Sequence, residues 1–504
     1  MTHDNVETQA GGGWRSALFA PVDASFLAYF RSVFGLTILG YAMIYIGVPW
    51  AGNLFEKVDT YFVDPDFHFS YYGFGWVKPL PGVWMHFVFA LLAVLACCVT
   101  VGLFYRKTVV LLFALYTYVF LLDKAYFVNH YYLLCLFAFL MCLMPAHCAF
   151  SVDARRKSAI RSKTVAAWTL WLLRAQIAVP YFYGGLSKIN DDWLHGEPIR
   201  KWLYTGQTGA AQIFHNEIIV KLISYGGLLL DLLVVPLLLW RRTRVYTYVI
   251  VVVFNICNSL LFNIGVFPWF ILLSSLLFFP PDWPRSLAER LQSILSISSV
   301  PAKARENQIV RHAGKEKDNF SSEPTPALRR RIIGFLAVYL GFQLLWPLRH
   351  HCYEGNPAWN EKGDLFAWRM MLYDKQFTAL KFYVAEADDP ASVDNLDRRV
   401  ELPGKYINET LNHHQLFSMG RRPDLILQFS HHLAKQLRET GGRDFAVYAL
   451  AAVSFNSRDA QLLVDPEVNL AAVERTIWGP TPWIMLFENT PRRRHAPKSE
   501  SDGT

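Results

Sequence analysis

Charge is scarce in this chain. Only 18% of its 504 residues are Asp, Glu, Lys or Arg, where a soluble domain commonly carries about 25%. That shortage argues against a large water-soluble globule. Cysteine is scarce too, at seven residues. No two are spaced as CxxC, so neither a zinc site nor any other metal centre is expected. Six of them, Cys97, Cys98, Cys135, Cys142, Cys148 and Cys257, lie in or beside apolar runs, where cysteine behaves as a small hydrophobe. Only Cys352 lies beyond them, which leaves the C-terminal part without an internal disulfide. A phosphate-binding glycine loop, a GxSxG elbow and an HExxH helix are all missing. So is a cleavable apolar leader, because Met1 to Trp14 is polar and glycine-rich; the first apolar run is expected to serve as an uncleaved insertion signal.

What the chain has instead is apolar residues in long blocks. Nine runs approach the length that crosses a bilayer: 26–48, 82–104, 107–123, 129–147, 165–187, 217–240, 244–262, 264–280 and 331–347. The expectation is a polytopic α-helical membrane protein of about nine transmembrane helices. The net charge of +8 is concentrated at Arg106-Lys107, Arg155-Arg156-Lys157, Arg241-Arg242-Thr243-Arg244 and across 285–331. These clusters flank apolar runs, so topology explains them without any nucleic-acid partner. The positive-inside rule places them in the cytoplasm, which predicts a cytoplasmic N-terminus and an external C-terminal domain.

The organisation expected is a disordered 1–20, a membrane domain over 21–280, a cytoplasmic linker over 281–330, a last span at 331–347, an external α+β domain rich in β-strands over 348–495, and a disordered tail at 496–504. In the external domain, alternation in Leu380–Ala385 predicts a half-buried strand. Phe445–Phe455 predicts another, Asn456-Ser457-Arg458-Asp459 a turn, and Gln461–Val464 a strand pairing back. Residues 422–440 read as a helix. Within the linker, Leu287, Leu291, Ile294 and Leu295 share one face of a short amphipathic helix.

Polar residues at membrane depth are expensive and mark candidate sites. Lys188 ends the fifth run, after Tyr181-Phe182-Tyr183-Gly184-Gly185-Leu186-Ser187. Two readings are open. It snorkels its ammonium to the headgroups, or desolvation makes its neutral amine accessible as a base. Asp191 and Asp192 follow it and favour the charged form if they lie close. Asn129 and His130 open the fourth run on the same side as Lys188. Asp123, Trp193, Asn255 and Asn258 complete the candidate set, and the two asparagines, three apart, share a helix face. Asp231, mid-way in the sixth run, is expected to pair with Arg174. Such a lipid-accessible pocket suits a hydrophobic substrate that can lose a proton.

Several ordered motifs carry a family resemblance. They are Leu122-Asp123-Lys124 through Asn129-His130-Tyr131-Tyr132 with Ser151-Val152-Asp153; Gly185-Leu186-Ser187-Lys188-Ile189-Asn190-Asp191-Asp192-Trp193; the segment around Asp231; Asn258, Phe262 and Phe267; and, externally, Trp359, Phe366–Met371 and Ser454–Arg458. The chain resembles the vitamin K-dependent γ-glutamyl carboxylases, whose membrane part is the HTTM domain. The resemblance implies Lys188 as catalytic base, with His130 beside it and Asn129, Asn255, Asn258, Asp123 and Trp193 around the quinone. It implies vitamin K hydroquinone or menaquinol, O2 and CO2 as co-substrates, no metal, and a glutamate-containing protein or peptide as partner. The base deprotonates the hydroquinone, the anion adds dioxygen, and the strong base so formed removes a glutamate γ-proton. The carbanion then captures CO2.

The chain departs from that pattern at three points. Asn255 stands where the family commonly has His, and an amide does not shuttle protons near neutral pH. The external domain is much shorter than in the animal enzymes, and Cys352 has no partner there. The compact build resembles the bacterial branch, implying an integral protein of a bacterial inner membrane. The alternatives are a quinone-dependent epoxidase or oxygenase of the same fold that no longer carboxylates, and a non-enzymatic lipid-binding or transport protein. The last predicts broken helices with binding near the bilayer midplane.

Overall fold

The computed structural model describes residues 13–48, 52–204, 216–262, 265–296, 324–387 and 399–492. Among them, five helices are long and apolar enough to cross a membrane: Ser25–Ile46, Val83–Val101, Glu217–Leu239, Arg244–Leu261, and the last helix with its following turn, Pro326–Cys352. Each of the four other expected spans is also helical. Tyr105–Leu121 has 17 residues and Asn129–Leu143 has 15, about 26 and 22 Å of helix against ~30 Å of hydrocarbon. Trp168–Ser187 is long enough but carries Arg174, Gln176 and Pro180. Phe267–Ser274 continues only as a tight turn to Phe278. The short members need not face lipid along their length, because much of their surface is packed on neighbours.

We number the helices that matter below as α1 (Trp14–Phe19), α2 (Ser25–Ile46), α3 (Val83–Val101), α4 (Tyr105–Leu121), α5 (Asn129–Leu143), α6 (Trp168–Ser187), α7 (Asp191–Leu194), α8 (Glu197–Tyr204), α9 (Glu217–Leu239), α10 (Arg244–Leu261), α11 (Phe267–Ser274), α12 (Trp283–Ser296) and α13 (Pro326–Leu345). α1 is a short helix inside the terminus expected to lack structure. α12 matches the amphipathic stretch of the linker. The linker stretch 301–323, the segment 1–12 and the tail 493–504 lie outside the described residues.

The membrane bundle is held by aromatic packing and by one buried cation. Phe30 and Phe34 of α2, Phe89 of α3, Phe137 of α5 and Phe270 of α11 are fully buried in a single core. α2 and α3 approach so closely at Gly35 that a Cβ there would lie 2.3 Å from Thr100 Oγ1. Arg31, buried on α2, donates to the carbonyls of Ala146 at 2.6 Å and Phe150 at 2.7 Å. It also reaches Thr100 O, at the end of α3. Those carbonyls have no helical partner of their own, so one guanidinium on α2 ties together the end of α3 and the loop after α5. Beside it Asp153 accepts from the amides of Phe104 and Tyr105 at 2.9 and 2.8 Å, holding the start of α4.

After α13 the chain builds an antiparallel sheet of β3 (Lys375–Glu386), β4 (Val400–Glu401), β5 (Phe445–Phe455) and β6 (Gln461–Leu462), in the order β4-β3-β5-β6. Two strands at the N-terminal end, β1 (Pro21–Asp23) and β2 (Thr164–Ala166), form a separate pair. Helix α14 (Pro423–Gly441) lays Leu425, Phe429 and Leu433 against Val447, Ala449, Ala451 and Val453 of the sheet. β5 spans the residues read from the sequence, and the turn at Asn456-Ser457 places both in the left-handed region before β6 pairs Leu462 with Ala452. Phe69 and Ala125, from loops of the membrane part, are buried in this second core, so the two parts share an interface.

Replacing Arg31 by Met keeps the stem and removes the donors. Each buried carbonyl left unpaired is expected to cost ~1–3 kcal/mol. The unfolding midpoint in denaturing detergent should fall well below wild type, and an unchanged midpoint would show that water replaces the guanidinium there.

Candidate active site at the end of an apolar helix

Lys188 is the C-cap of α6. The helix reaches its neighbour α9 through two glycines. A Cβ on Gly185 would lie 2.8 Å from the Leu232 side chain, and one on Gly184 would lie 3.3 Å from Asp231 Oδ2. This close approach brings Asp231, mid-way along α9, up to the lysine. Lys188 Nζ donates to Asp231 Oδ2 at 2.5 Å and to Gly184 O at 3.4 Å. Its ammonium lies 5.1 Å from the centre of the Trp193 ring. Lys188 is only 7% exposed. A buried pair of this kind is net neutral, and breaking it by removing one partner leaves an uncompensated charge.

One expectation is corrected here. Asp231 pairs with Lys188, not with Arg174. The Arg174 guanidinium instead donates to the free carbonyls of Leu277 at 2.8 Å and Phe279 at 3.2 Å, which end the apolar segment after α11. Asp191 and Asp192 are not the carboxylates beside Lys188 either. Both bond arginines of the C-terminal part, Asp192 to Arg458 and Arg492 and Asp191 to Arg492, from a turn whose start Asn190 caps by accepting from Trp193 N.

Around the pair, Trp193 is buried and donates its indole N–H to Ser224 O at 2.9 Å, which fixes its ring against the ammonium. The Tyr181 phenol lies among Asp231, Asn255 and Ser275. Asn255 is buried; its amide donates back to Val251 O of its own helix at 2.9 Å, and its side chain also meets the Tyr181 phenol of α6. Asn258 is half-buried on the same helix.

His130 and Asn129 sit at the start of α5. The His130 ring stacks on Phe267 of α11, with centroids 5.1 Å apart, and meets Tyr131 edge-on. No hydrogen bond or ion pair joins it to Lys188 among the described residues. Asn129 reaches Arg369 O at 3.5 Å, while its Oδ1 is buried without a hydrogen-bond partner. Asp123 has a different employment from the one expected. It caps the following turn at Ala125 N, accepts from Gln415 Nε2 at 2.7 Å and meets His68 Nδ1 at 3.1 Å. With both oxygens committed to loop and domain contacts, it is a joint between the two parts. Among the described residues no group of His, Cys, Asp and Glu could hold a metal ion.

The sequence reading missed the clamp that begins four residues after Lys188. Asp192 takes a bidentate contact from buried Arg458 at 2.7 and 3.1 Å, a bond from Asn456 Nδ2 at 2.8 Å, and Arg492 at 2.6 Å. Asp191 adds a second bond to Arg492, and Lys201 of α8 pairs with Asp374 just before β3. Lys124 and Asp424 form a further bridge at 2.5 Å. The turn Ser454–Arg458 was visible as a motif, but its partner was not.

Residues 19–283 match the family model of the HTTM domain, and residues 328–490 match that of the vitamin K-dependent gamma-carboxylase lumenal domain. The chain belongs to the vitamin K-dependent gamma-carboxylase family. The HTTM match contains Lys188, Asp231, His130, Asn129 and Asn255, and the lumenal-domain match contains Arg458 and Asp374, so the clamp at Asp192 joins the two family domains. No solved structure matches the chain.

Burial raises the Asp192 carboxyl, but the bonds from Arg458, Asn456 and Arg492 outweigh it and hold the group below the usual carboxylate range. A carboxylate depressed in the fold stabilises it fully above the unfolded value of about 3.9, and that contribution is lost as pH falls through the folded value. The thermal midpoint should therefore drop on acidification below about pH 4. Asp192→Asn should lower the midpoint at neutral pH and make the acid slope shallower. An identical slope in the variant would remove the clamp from the account.

Proposed function

We propose that this protein is a membrane carboxylase that converts protein glutamate to γ-carboxyglutamate, coupled to oxygenation of reduced vitamin K or menaquinol. The observation that carries the reading is a lysine buried at the end of an apolar helix, ion-paired and four residues from the clamp on the lumenal domain. A base placed there meets a lipid quinol from the bilayer and a peptide from the domain above.

The residues present suit such a quinol. The ring pair His130–Phe267 offers an aromatic wall, the unpartnered Asn129 Oδ1 is an acceptor for a hydroxyl hydrogen, and the Lys188–Asp231 pair supplies a proton acceptor. When bound, the quinol supplies with O2 the strong base that removes the glutamate γ-proton. Lys188 takes up the hydroxyl proton at Nζ, Trp193 limits where the ammonium can lie, and the glycine-packed helices keep water from the pair. Asn255 favours a second reading in one respect: an amide stands where the family commonly has a histidine, which suits an enzyme that oxidises quinol without carboxylating.

The same reading has nine spans, with the short α4, α5 and α11 crossing inside the bundle, a cytoplasmic N-terminus and an external lumenal-type domain in a bacterial inner membrane. Reporters fused after Ser158 and after Gly363 should then report opposite sides. Agreement between them would sink this topology.

Lys188→Ala should abolish epoxide formation and any carboxylation, with the protein still inserted and clamped. Lys188→Arg should not rescue, because the guanidinium stays charged. A small added amine should restore part of the rate in Lys188→Ala. Near-normal epoxidation in Lys188→Ala would reduce the lysine to a structural counter-ion of Asp231.

A further inference from the structure

Asp231 has a geometry more specific than a structural ion pair requires. It is the carboxylate at hydrogen-bond distance from Lys188 Nζ, at 2.5 Å. Both side chains are nearly closed to solvent, at 9% and 11% side-chain exposure. The helix–helix contact that brings them together depends on Gly185, where a Cβ would strike Leu232 of α9 at 2.8 Å, and on Gly184, where one would press on Asp231 Oδ2 at 3.3 Å. An ammonium in this position has no lone pair and cannot accept a proton. A lysine held against a carboxylate is therefore a base only if the carboxylate can take its proton first.

We propose that Lys188 and Asp231 act as a two-residue proton relay, with Asp231 the positioning residue that stores the proton. The inference rests on the reading of Lys188 as the group that meets the quinol. One N–H bond of the ammonium breaks, its electron pair stays on Nζ, and the proton forms an O–H bond on Asp231 Oδ2. The free pair on Nζ then bonds to the hydroxyl proton of the quinol, whose O–H electrons remain on oxygen. The net change is one proton moved from quinol to Asp231. Lys188 is again an ammonium, now beside the anion it has produced and stabilising it in a site from which water is excluded.

The arrangement also meets the cost of charge in an apolar medium. Before transfer the pair is net neutral. After transfer the pair carries one positive charge against one negative charge on the quinol, so the site as a whole remains neutral. Gly184 O, at 3.4 Å from Nζ, and the Trp193 ring hold the amine in place while its hydrogens are exchanged. The Tyr181 phenol beside Asp231 places a further polar group next to the carboxyl.

The test uses the full chain in lipid nanodiscs with reduced menaquinone. Without oxygen, so that no turnover occurs, adding the quinol should raise the infrared C=O stretch of a protonated carboxyl, shifted by 13C-carboxyl aspartate labelling. The band should be absent in Asp231→Asn and in Lys188→Ala. With oxygen, Asp231→Asn should lower kcat about 100-fold with KM for the quinol near wild type, the size of a lost acid–base group. A structural role alone would lower thermal stability without abolishing the band. If Asp231→Asn is not recovered from the membrane, Asp231→Glu serves: its band should move in frequency and lose the aspartate-label shift. No band in wild type, the same band in Asp231→Asn, or turnover of that variant within about twofold of wild type would overturn the relay. Inactive Lys188→Ala beside active Asp231→Asn would overturn the relay alone. Active Lys188→Ala would overturn the lysine base itself.

Discussion

A lysine at the end of one apolar helix and an aspartate mid-way along another, buried against each other, constrain everything near them. Neither charge is tolerable there alone. Their meeting requires α6 and α9 to pack at glycine distance, which explains Gly184-Gly185 one turn before the lysine. It requires the chain to turn at once after Lys188, which Asn190 does by capping α7. That turn presents Trp193 to the ammonium on one side and Asp192 to the lumenal domain on the other. The site and the domain contact are thus two faces of the same six residues.

The clamp gives the second domain a mechanical part. Arg458 leaves the β5–β6 turn, where Asn456 and Ser457 adopt left-handed backbone, and this is a conformation that a non-glycine residue holds only when its surroundings enforce it. The enforcement here is visible: Asn456 and Arg458 both bond Asp192. On the opposite side of the interface, Asp123, Lys124 and Ala125 tie the loop before α5 to Gln415, Asp424 and Ser418. The lumenal domain therefore grips both the Lys188 segment and the loop leading to Asn129 and His130, and a change in that domain can be felt at both sides of the site.

Much of this was legible in the sequence. Each of the nine apolar runs falls on a helix among the described residues, and five of those helices are long and apolar enough to cross a membrane; burial in lipid and in a helical bundle demand the same composition. Alternation located β3 and β5, although β3 extends beyond the stretch that alternates cleanly. Placement at the rims of apolar runs singled out Lys188, Asn129 and His130 as candidates. Partners were less legible. The Lys188–Asp231 pair joins residues 43 apart, and which carboxylate meets which cation depends on helix packing that periodicity does not encode. Arg174 looked like the natural partner by depth, but helix-end carbonyls satisfy it. Asp123 looked like a ligand for the quinone because its neighbours do, while its own oxygens hold a turn and two side chains. Helices α5 and α11 are shorter than the apolar runs that contain them, because composition reports apolarity and not where a helix stops.

The account stands on the carboxylation chemistry above the membrane pair. Purified protein given reduced menaquinone, labelled bicarbonate and a glutamate-rich peptide measures it directly. The account predicts label in the peptide as γ-carboxyglutamate, formed only when the reduced quinone and oxygen are both present. Oxidation of the quinone with no label in any glutamate-rich peptide would contradict it.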